Sequence, residues 1–338
     1  MNNNDEVVLE PELLSLVLSR MLNKTIVRAD SQLKKLQGGT LGNVQLVTGR
    51  AETSEGENLP YKIVWKTQKK FERYGDPGSW RREYDLHTSN FSKIFSESLR
   101  LPECYHAEIN DDEIQLWLEY IDGVSGVDLT LEMYKRVSEG LGRFQGKLYA
   151  EQPDTLRNLT NLSEVDFVRK NYQRYRSWDV LFDYIRSEDC DISAHLCNML
   201  IDFDNNADEI FSKIEQLPVV FCHRDFWIEN ILYTGNAFVL IDWDTTGWGY
   251  LGEDLASLIA DEMDLSHMIE AYQKCVPLYY KGLSEYVDLS HINDRFMFEI
   301  IVAMFGYRLL ESYKFANSPE DKSLYLNTLQ KIYELGEL

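Results

Sequence analysis

The residues best suited to chemistry lie in the stretch FCHRDFWIENIL and shortly after it. Asp225 and Asn230 are five residues apart, and Asp242 follows Asp225 by seventeen, directly after the apolar run AFVLI. A short hairpin there would bring all three to its ends. Phosphoryl transfer needs such a set, because one Asp orients or deprotonates the attacking hydroxyl while an Asn and a second Asp hold Mg²⁺ against the phosphate oxygens. The spacing therefore indicates phosphoryl-transfer chemistry.

The same stretch resembles known kinase signatures. It is similar to the H-R-D-x-x-x-x-N segment of protein kinases. It resembles more closely the aminoglycoside phosphotransferase and choline kinase superfamily, whose segment commonly reads H-G-D-x-x-x-x-N-I-L, then I-D-W, then a short loop ending D-L-A. Here the corresponding letters are HRDFWIENIL, IDW and the DLA that begins at Asp254. Arg224 stands where those phosphotransferases usually have Gly and matches protein kinases instead, which leaves the subfamily open.

This resemblance assigns roles to individual residues. It implies that Asp225 is the catalytic base, that Asn230 and Asp242 are metal ligands for Mg²⁺, and that Asp254 is structural and braces the loop. Only eleven residues separate Asp242 from Asp254, and no A-P-E sequence follows. Protein kinases usually carry a longer activation segment there, so the short segment favours a small-molecule acceptor. A protein kinase and a catalytically silent pseudokinase that binds nucleotide remain alternatives.

The N-terminal part should then bind ATP or GTP. In the stretch LQGGTLGNV, Gly38 and Gly39 would let backbone N–H groups approach phosphates, and the stretch resembles the family's Gly-Gly-x-x-Asn loop with one extra residue before Asn43. No Gly-Lys-Ser/Thr follows, so this is not a Walker A motif. Glu119 and Ile121 are expected at the hinge, where backbone groups would hold the adenine.

A lysine of the strand YKIVWK should reach the α- and β-phosphates. Strand alternation places Lys62 and Lys66 on one face, so both are candidates. Lys66 closes a V-x-K pattern similar to the family's third strand, and we prefer it. Glu83, early on the next predicted helix, would pair with Lys66 as in protein kinases.

Apolar periodicity predicts a strand-rich N-terminal part and a larger, mostly helical C-terminal part. Together with the resemblance, this implies a bilobal, protein-kinase-like α+β fold, with an N-lobe over residues 1–121 and a C-lobe over 122–338. Predicted N-lobe helices cover 11–22 and 79–95, and predicted strands cover 44–50, 61–67 and 114–120. In the C-lobe the pattern predicts helices over 131–150, 164–186, 193–216 and from about 254 onward, and strands over 231–233 and 237–241.

Composition limits the other functions. Five scattered Cys with no Cys-x-x-Cys pair argue against a disulfide framework or a zinc site, and no G-x-S-x-G hydrolase motif occurs. The polar, acidic start does not have the basic flank and apolar stretch of a signal peptide, so a cytoplasmic location is expected. Neither a nucleic acid nor a membrane is expected as a partner, because the net charge is −22. The oligomeric state stays open.

The negative charge is uneven along the chain. Residues 1–120 carry 15 Lys and Arg against 19 Asp and Glu, a balance of −4, whereas residues 121–338 carry 19 against 37, a balance of −18. A cleft of one sign concentrates ligands of the opposite sign. We therefore expect a cationic acceptor such as an amino sugar or amino alcohol. The acidic candidates near the catalytic stretch are Glu229, Asp244, Asp261, Glu262 and Asp264.

Overall fold

The computed structural model describes residues 9–36, 42–73, 75–96, 98–261, 265–293 and 295–338. The chain forms two compact units: Met1–Lys93 with Leu101–Asp122, and Ile94–Arg100 with Gly123–Leu338. One antiparallel sheet dominates the first unit, and helices dominate the second. The predicted α+β class, with a β-rich N-terminal part and a larger helical C-terminal part, is confirmed. Within the described residues, no helix is both long and apolar enough to cross a membrane.

The sheet of the first unit has six strands in the order β1-β3-β4-β7-β6, with β2 also paired to β3. Their bounds are β1 (Ile26–Ala29), β2 (Gln32–Lys35), β3 (Gly42–Thr53), β4 (Asn58–Lys69), β6 (Cys104–Ile109) and β7 (Glu113–Glu119). The hairpin of β3 and β4 stays in register from Gly42↔Gln68 to Glu52↔Asn58. This long hairpin fixes which face of β4 each lysine occupies.

Helix α1 (Pro11–Leu22) covers one face of this sheet. Its buried residues Leu14, Val17 and Leu18 follow helical spacing and join a core cluster that includes Ile63 and Trp65 of β4. The Trp65 ring stacks on that of Trp117 at 5.4 Å between centroids. Because successive strand residues point to opposite faces, the residues on either side of Trp65 point away from this cluster.

The predicted helix over 79–95 is wrong in its C-terminal half. Helix α2 (Ser79–Thr88) stops where Ser89 turns to extended backbone, with φ −82° and ψ 176°. The Ser89 hydroxyl accepts a hydrogen bond from the N–H of Phe91 at 3.1 Å, and a 3-10 turn then covers Phe91–Ile94. A serine that bonds to nearby backbone competes with helix continuation, which explains the early end.

The second unit contains eleven α-helices among its described residues, and a π-helical turn over Val302–Gly306 leads into α12. The bounds are α3 (Leu131–Glu151), α4 (Asp154–Arg157), α5 (Phe167–Arg176), α6 (Asp179–Tyr184), α7 (Ala194–Asn205), α8 (Ala207–Ile214), α9 (Glu253–Ala260), α10 (Leu265–Leu283), α11 (Arg295–Ile301), α12 (Tyr307–Lys314) and α13 (Pro319–Gly336).

Short strands of the second unit carry the catalytic segments. Strand β10 (Phe238–Leu240) lies between β5 (Leu99–Arg100) and β9 (Ile231–Tyr233). Strand β8 (Val219–Cys222) pairs antiparallel with β11 (Gly247–Tyr250). The sequence predicted β9 and β10 but not β5, β8 or β11.

Two long predicted helices are each divided in the structure. The 164–186 prediction breaks at Trp178, which is extended with ψ 92°, so α5 and α6 are separate. The 193–216 prediction breaks at Asn206, where φ is −110° and ψ is 8°. The Asn206 side chain donates to the main-chain oxygen of Asp202 at 2.7 Å and so bonds to the last turn of α7. Continuous apolar spacing does not reveal such local breaks.

Helices α3 and α10 approach each other closely at glycines. A Cβ added to Gly142 would lie 2.1 Å from the Tyr279 carbonyl oxygen, and one added to Gly282 would lie 2.3 Å from the Glu139 carbonyl oxygen. Both contacts are with backbone, which cannot move aside cheaply. Gly140, two residues before Gly142 on the same helix, has open space around its Cα.

We expect Gly142→Ala to destabilise the protein by about 1–3 kcal/mol, because the extra methyl forces α3 and α10 apart. Gly140→Ala is the matched control and should stabilise the helix by roughly 0.4–1 kcal/mol, since alanine restricts the unfolded chain. Denaturant unfolding of both variants measures the difference. Equal effects at the two positions would contradict the close approach of the helices.

Candidate active site

Lys66 and Glu83 form a buried ion pair in the first unit. Lys66 lies on β4, opposite the face that holds Trp65, and its Nζ is 2.5 Å from Oε2 of Glu83 on α2. The two side chains are only 10% and 3% exposed. Lys62 lies on the same face of the strand, but it is exposed and its Nζ sits 5.1 Å from the centre of the Tyr120 ring. Of the two candidate lysines, Lys66 is the one that the structure pairs with Glu83.

The imidazole of His87 follows Glu83 by one turn of α2. Burial, together with the nearby charge of Lys66, lowers the pKa of His87 to about 3. His87 is therefore neutral at physiological pH. The sequence pattern did not single out this histidine.

Asp225 and Asn230 meet in the loop that follows β8. The Asn230 amide nitrogen donates to Oδ2 of Asp225 at 3.0 Å and to the Asp225 carbonyl oxygen at 2.9 Å. Asn230 ends a 3-10 turn over Ile228–Asn230 and is buried, while Asp225 is half-buried. The side-chain amide thus orients the carboxylate that the sequence assigns as the catalytic base.

Asp242 is brought to the same loop by main-chain hydrogen bonds. The N–H of Ile241 donates to the Asn230 carbonyl oxygen at 3.1 Å. Nε2 of His223 lies 3.0 Å from the Ile241 carbonyl oxygen, while the Asp225 N–H donates to Nδ1 of the same ring at 3.3 Å. These partners favour the neutral tautomer with its proton on Nε2. Asp242 itself has φ 63°, a left-handed conformation unusual for a residue with a side chain.

The carboxylate of Asp254 braces this loop, as predicted. It is 1% exposed and accepts the N–H of His223 at 2.9 Å and the N–H of Arg224 at 2.8 Å. Gln145 of α3 donates a further hydrogen bond to it at 2.9 Å. Burial raises the pKa of Asp254 to about 6, and the two backbone N–H groups oppose that rise. Sequence patterning did not find Gln145, because it lies 109 residues away in the middle of a helix.

The segment from residue 243 to residue 253, here called the linking segment, is hydrogen-bonded to the catalytic loop. The hydroxyl of Thr245 donates to the His223 carbonyl oxygen at 3.2 Å, and that of Thr246 donates to the Cys222 carbonyl oxygen at 2.6 Å. Its strand β11 pairs with β8. The segment is therefore an integral part of the loop's support.

Four further residues were predicted to contact the nucleotide, and the structure describes two of them. Glu119 ends β7, and its Oε2 accepts the N–H of Glu103 at 3.1 Å. Ile121 follows that strand and is partly exposed. Gly38 and Gly39 lie outside the described residues, so the predicted glycine loop stays a prediction.

Oxygen donors suited to Mg²⁺ are present at Asn230 and Asp242. Because the amide nitrogen of Asn230 is committed to Asp225, its oxygen is the atom left to face a cation. A carboxylate and an amide oxygen are the hard ligands that Mg²⁺ prefers, and this ion usually keeps several waters or phosphate oxygens as further ligands. Within the described residues, no cluster of three or more His, Cys, Asp and Glu side chains could hold a metal ion.

Residues 81–274 match the family model of the phosphotransferase enzyme family (APH). The match covers more than half of the 338-residue chain, and the chain belongs to this family. It includes Asp225, Asn230 and Asp242, whereas Lys66 precedes it. This membership makes the chain a phosphotransferase-family protein. A comparison with curated proteins gave no match.

Solved structures share the fold at low sequence identity. A choline kinase from Cryptosporidium parvum is 16% identical, with 91% of this chain and 90% of that chain covered and a TM-score of 0.56. A microcompartment-associated aminopropanol kinase is 13% identical, with 96% of each chain covered and a TM-score of 0.57. A spectinomycin phosphotransferase in complex with ADP and spectinomycin is 16% identical, with 98% and 100% covered and a TM-score of 0.50. These likenesses show a kinase-like fold.

We expect the charges of Lys66 and Glu83 to act as one unit. Lys66→Met or Glu83→Gln alone breaks the buried ion pair and should destabilise the protein by about 3–5 kcal/mol, whereas the double variant should lose much less than the sum. Lys66→Met should also weaken catalysis with ATP, and adding Glu83→Gln should cost little more. Lys62→Met is the matched control on the same strand face. Additive losses, or a sensitive Lys62 beside a silent Lys66, would overturn the assignment.

Proposed function

We propose that this protein transfers the γ-phosphoryl group of ATP or GTP to a hydroxyl group of a small molecule, with Mg²⁺ as cofactor. The observation that carries the proposal is the convergence of Asp225, Asn230 and Asp242 through the hydrogen bonds of one loop. Family membership supports the reaction class.

In this reaction Asp225 receives the proton of the acceptor hydroxyl as the oxygen attacks phosphorus. The hydrogen bond from Asn230 keeps the Asp225 carboxylate in one orientation. Asn230 and Asp242 would hold Mg²⁺, which neutralises charge on the phosphate oxygens when bound. Lys66, held by Glu83, binds the α- and β-phosphates, and backbone groups around Glu119 and Ile121 hold the base.

The linking segment supports a small acceptor rather than a peptide. Protein kinases dock peptides on a longer activation segment. Here the corresponding stretch forms β11 against β8 and enters α9 at Glu253. Most of its residues are buried, Asp244 to 4% exposure, which leaves little surface for an extended peptide.

We further propose that the acceptor carries a positive charge. The support is the −18 balance of residues 121–338, since only −4 falls in the rest. Individual carboxylates contribute differently. Glu229 is exposed, Asp244 is buried, and Asp261 pairs with Arg308 at 3.2 Å between Oδ2 and Nη1. Glu262 and Asp264 lie outside the described residues. The compounds named for the structural neighbours, choline, aminopropanol and spectinomycin, are natural first members of an acceptor panel.

We expect purified protein to release ADP only when a suitable acceptor and Mg²⁺ are both present. Asp225→Asn should lower kcat by about 10²–10⁴-fold, because the amide cannot take the proton. Nucleotide binding should persist. Glu285→Gln, which breaks an exposed ion pair with Arg143, is the control. A variant at Asp225 that keeps more than about a tenth of the wild-type kcat would remove this residue as the base.

We also expect amine-bearing alcohols to be better acceptors than neutral alcohols of similar size. For the best amine, kcat/KM should fall as salt rises toward about 0.15 M, where screening acts over roughly 8 Å, while KM for ATP changes less. Rates across a salt series with each acceptor measure this. A neutral or anionic compound as the best acceptor would refute the cationic class and leave the kinase reaction standing.

A further inference from the structure

Arg224 occupies a backbone conformation that suits glycine. Its φ is 67°, in the left-handed region, and it directly precedes Asp225. A residue with a side chain persists there only when its surroundings hold it in place. The position is therefore one where a side chain is kept despite backbone strain, and its contacts should explain why.

Both terminal nitrogens of the Arg224 guanidinium are hydrogen-bonded inside the second unit, and its Nε lies near a carboxylate. Nη1 donates to the Ser163 hydroxyl at 2.8 Å, and Nη2 donates to the main-chain oxygen of Trp248. The group lies 4.8 Å from the centre of the Phe167 ring. Nε faces Oε2 of Glu253 at 3.5 Å, and both side chains are 1% exposed. Arg224 thus joins the catalytic loop to the linking segment through a fully buried ion pair.

Glu253 is itself fixed from the opposite side. Its Oε1 accepts the N–H of Tyr250 at 2.5 Å. Gly249 makes room for the carboxylate, because an added Cβ there would lie 2.7 Å from Oε2. The next residue, Asp254, holds the backbone N–H of Arg224. At the start of α9, Glu253 therefore contacts the side chain of Arg224, and Asp254 accepts its backbone N–H.

In protein kinases, activation segments are ordered by new pairs between arginine and a phosphorylated side chain. Glu253 lies at the end of the corresponding segment here and supplies a carboxylate where those kinases use a phosphate. Burial raises the pKa of Glu253 to about 7, and the charge of Arg224 opposes that rise. Removing either partner of a buried ion pair leaves an uncompensated charge, so the arrangement is sensitive to single changes. No added phosphate is needed to complete it.

We propose that the Arg224–Glu253 pair is a built-in positioning device that holds Asp225 in its working geometry without phosphorylation of the linking segment. This inference rests on the proposed kinase function. Arg224 and Glu253 are positioning residues, since they act through the loop that carries Asp225. A purely structural role would change stability alone, whereas a positioning role changes kcat in protein that is still folded.

The test compares Arg224→Gly, Arg224→Lys, Glu253→Gln, Gly249→Ala and the double variant Arg224→Gly/Glu253→Gln. Arg224→Gly is the sharpest, because it removes the pair while relieving the positive φ. We expect it to lower kcat by about 10²-fold, the effect of a small misplacement of a catalytic group, with KM for ATP nearly unchanged. Glu253→Gln and Gly249→Ala should act in the same direction, Arg224→Lys should retain more activity than Arg224→Gly, and the double variant should be no worse than the worse single one.

Glu285→Gln is the control, because it breaks the exposed pair between Arg143 on α3 and Glu285 in the turn after α10. Denaturant unfolding must show each variant folded under assay conditions. Phosphatase treatment of the wild type should leave kcat unchanged. Wild-type kcat in Arg224→Gly, additive losses in the double variant, or loss of activity after phosphatase treatment would each overturn the proposal.

Amide hydrogen exchange across residues 223–230 gives a second readout that needs no acceptor. Exchange should be faster in Arg224→Gly and Glu253→Gln than in the wild type and Glu285→Gln. Unchanged exchange in both would reject the positioning role even if no acceptor were found. Wild-type protein with no acceptor-dependent ADP release would instead count against the kinase function, so the two failures are distinct.

Discussion

The buried carboxylate of Asp254 is the contact on which the catalytic loop depends most. It accepts hydrogen bonds from two successive backbone N–H groups, at His223 and Arg224, and from the side chain of Gln145. Gln145 is in turn held by the hydroxyl of Tyr279, which donates to its Oε1 at 2.6 Å and accepts the N–H of Gly252 at 3.2 Å. Such a network stabilises the loop only when every buried polar group in it has a hydrogen-bond partner, because a buried polar group without one lowers stability.

This network lets two strained residues flank the chemistry. Arg224 and Asp242 both have positive φ, at 67° and 63°. Left-handed backbone at residues with side chains tends to occur at functional sites, where the rest of the fold holds it. Here Asp254 holds the first of these residues, and the hydrogen bond between Ile241 and Asn230 holds the neighbour of the second. The two left-handed residues thus lie immediately before Asp225 and at Asp242 itself.

Much of the acidity of the second unit is used on helix surfaces. Arg143, for example, contacts Glu139 one turn away and Glu285 on another segment, at 3.2 and 2.8 Å. Pairs of this exposed kind contribute little to stability. Positions 121–338 nevertheless contain 37 acidic against 19 basic residues, which leaves a net negative field. This field affects the capture of charged ligands more than the choice of fold.

Local sequence determined the elements that need only local information. The bounds of α1 matched the prediction, and the 131–150 prediction differs from α3 by one residue, because apolar spacing and caps are written in neighbouring residues. The motif spacing likewise predicted that Asp225, Asn230 and Asp242 converge at the ends of a short hairpin. By contrast, β8 and β11 are strands only because they pair with each other, and β11 belongs to the linking segment.

The choice between Lys62 and Lys66 also needed the tertiary structure. Alternation places both on one face, and only the approach of α2 decides which amine meets Glu83. The partnership of Arg224 with Glu253 also needed the tertiary structure, because the two residues are far apart in sequence and no local pattern shows that both are buried together.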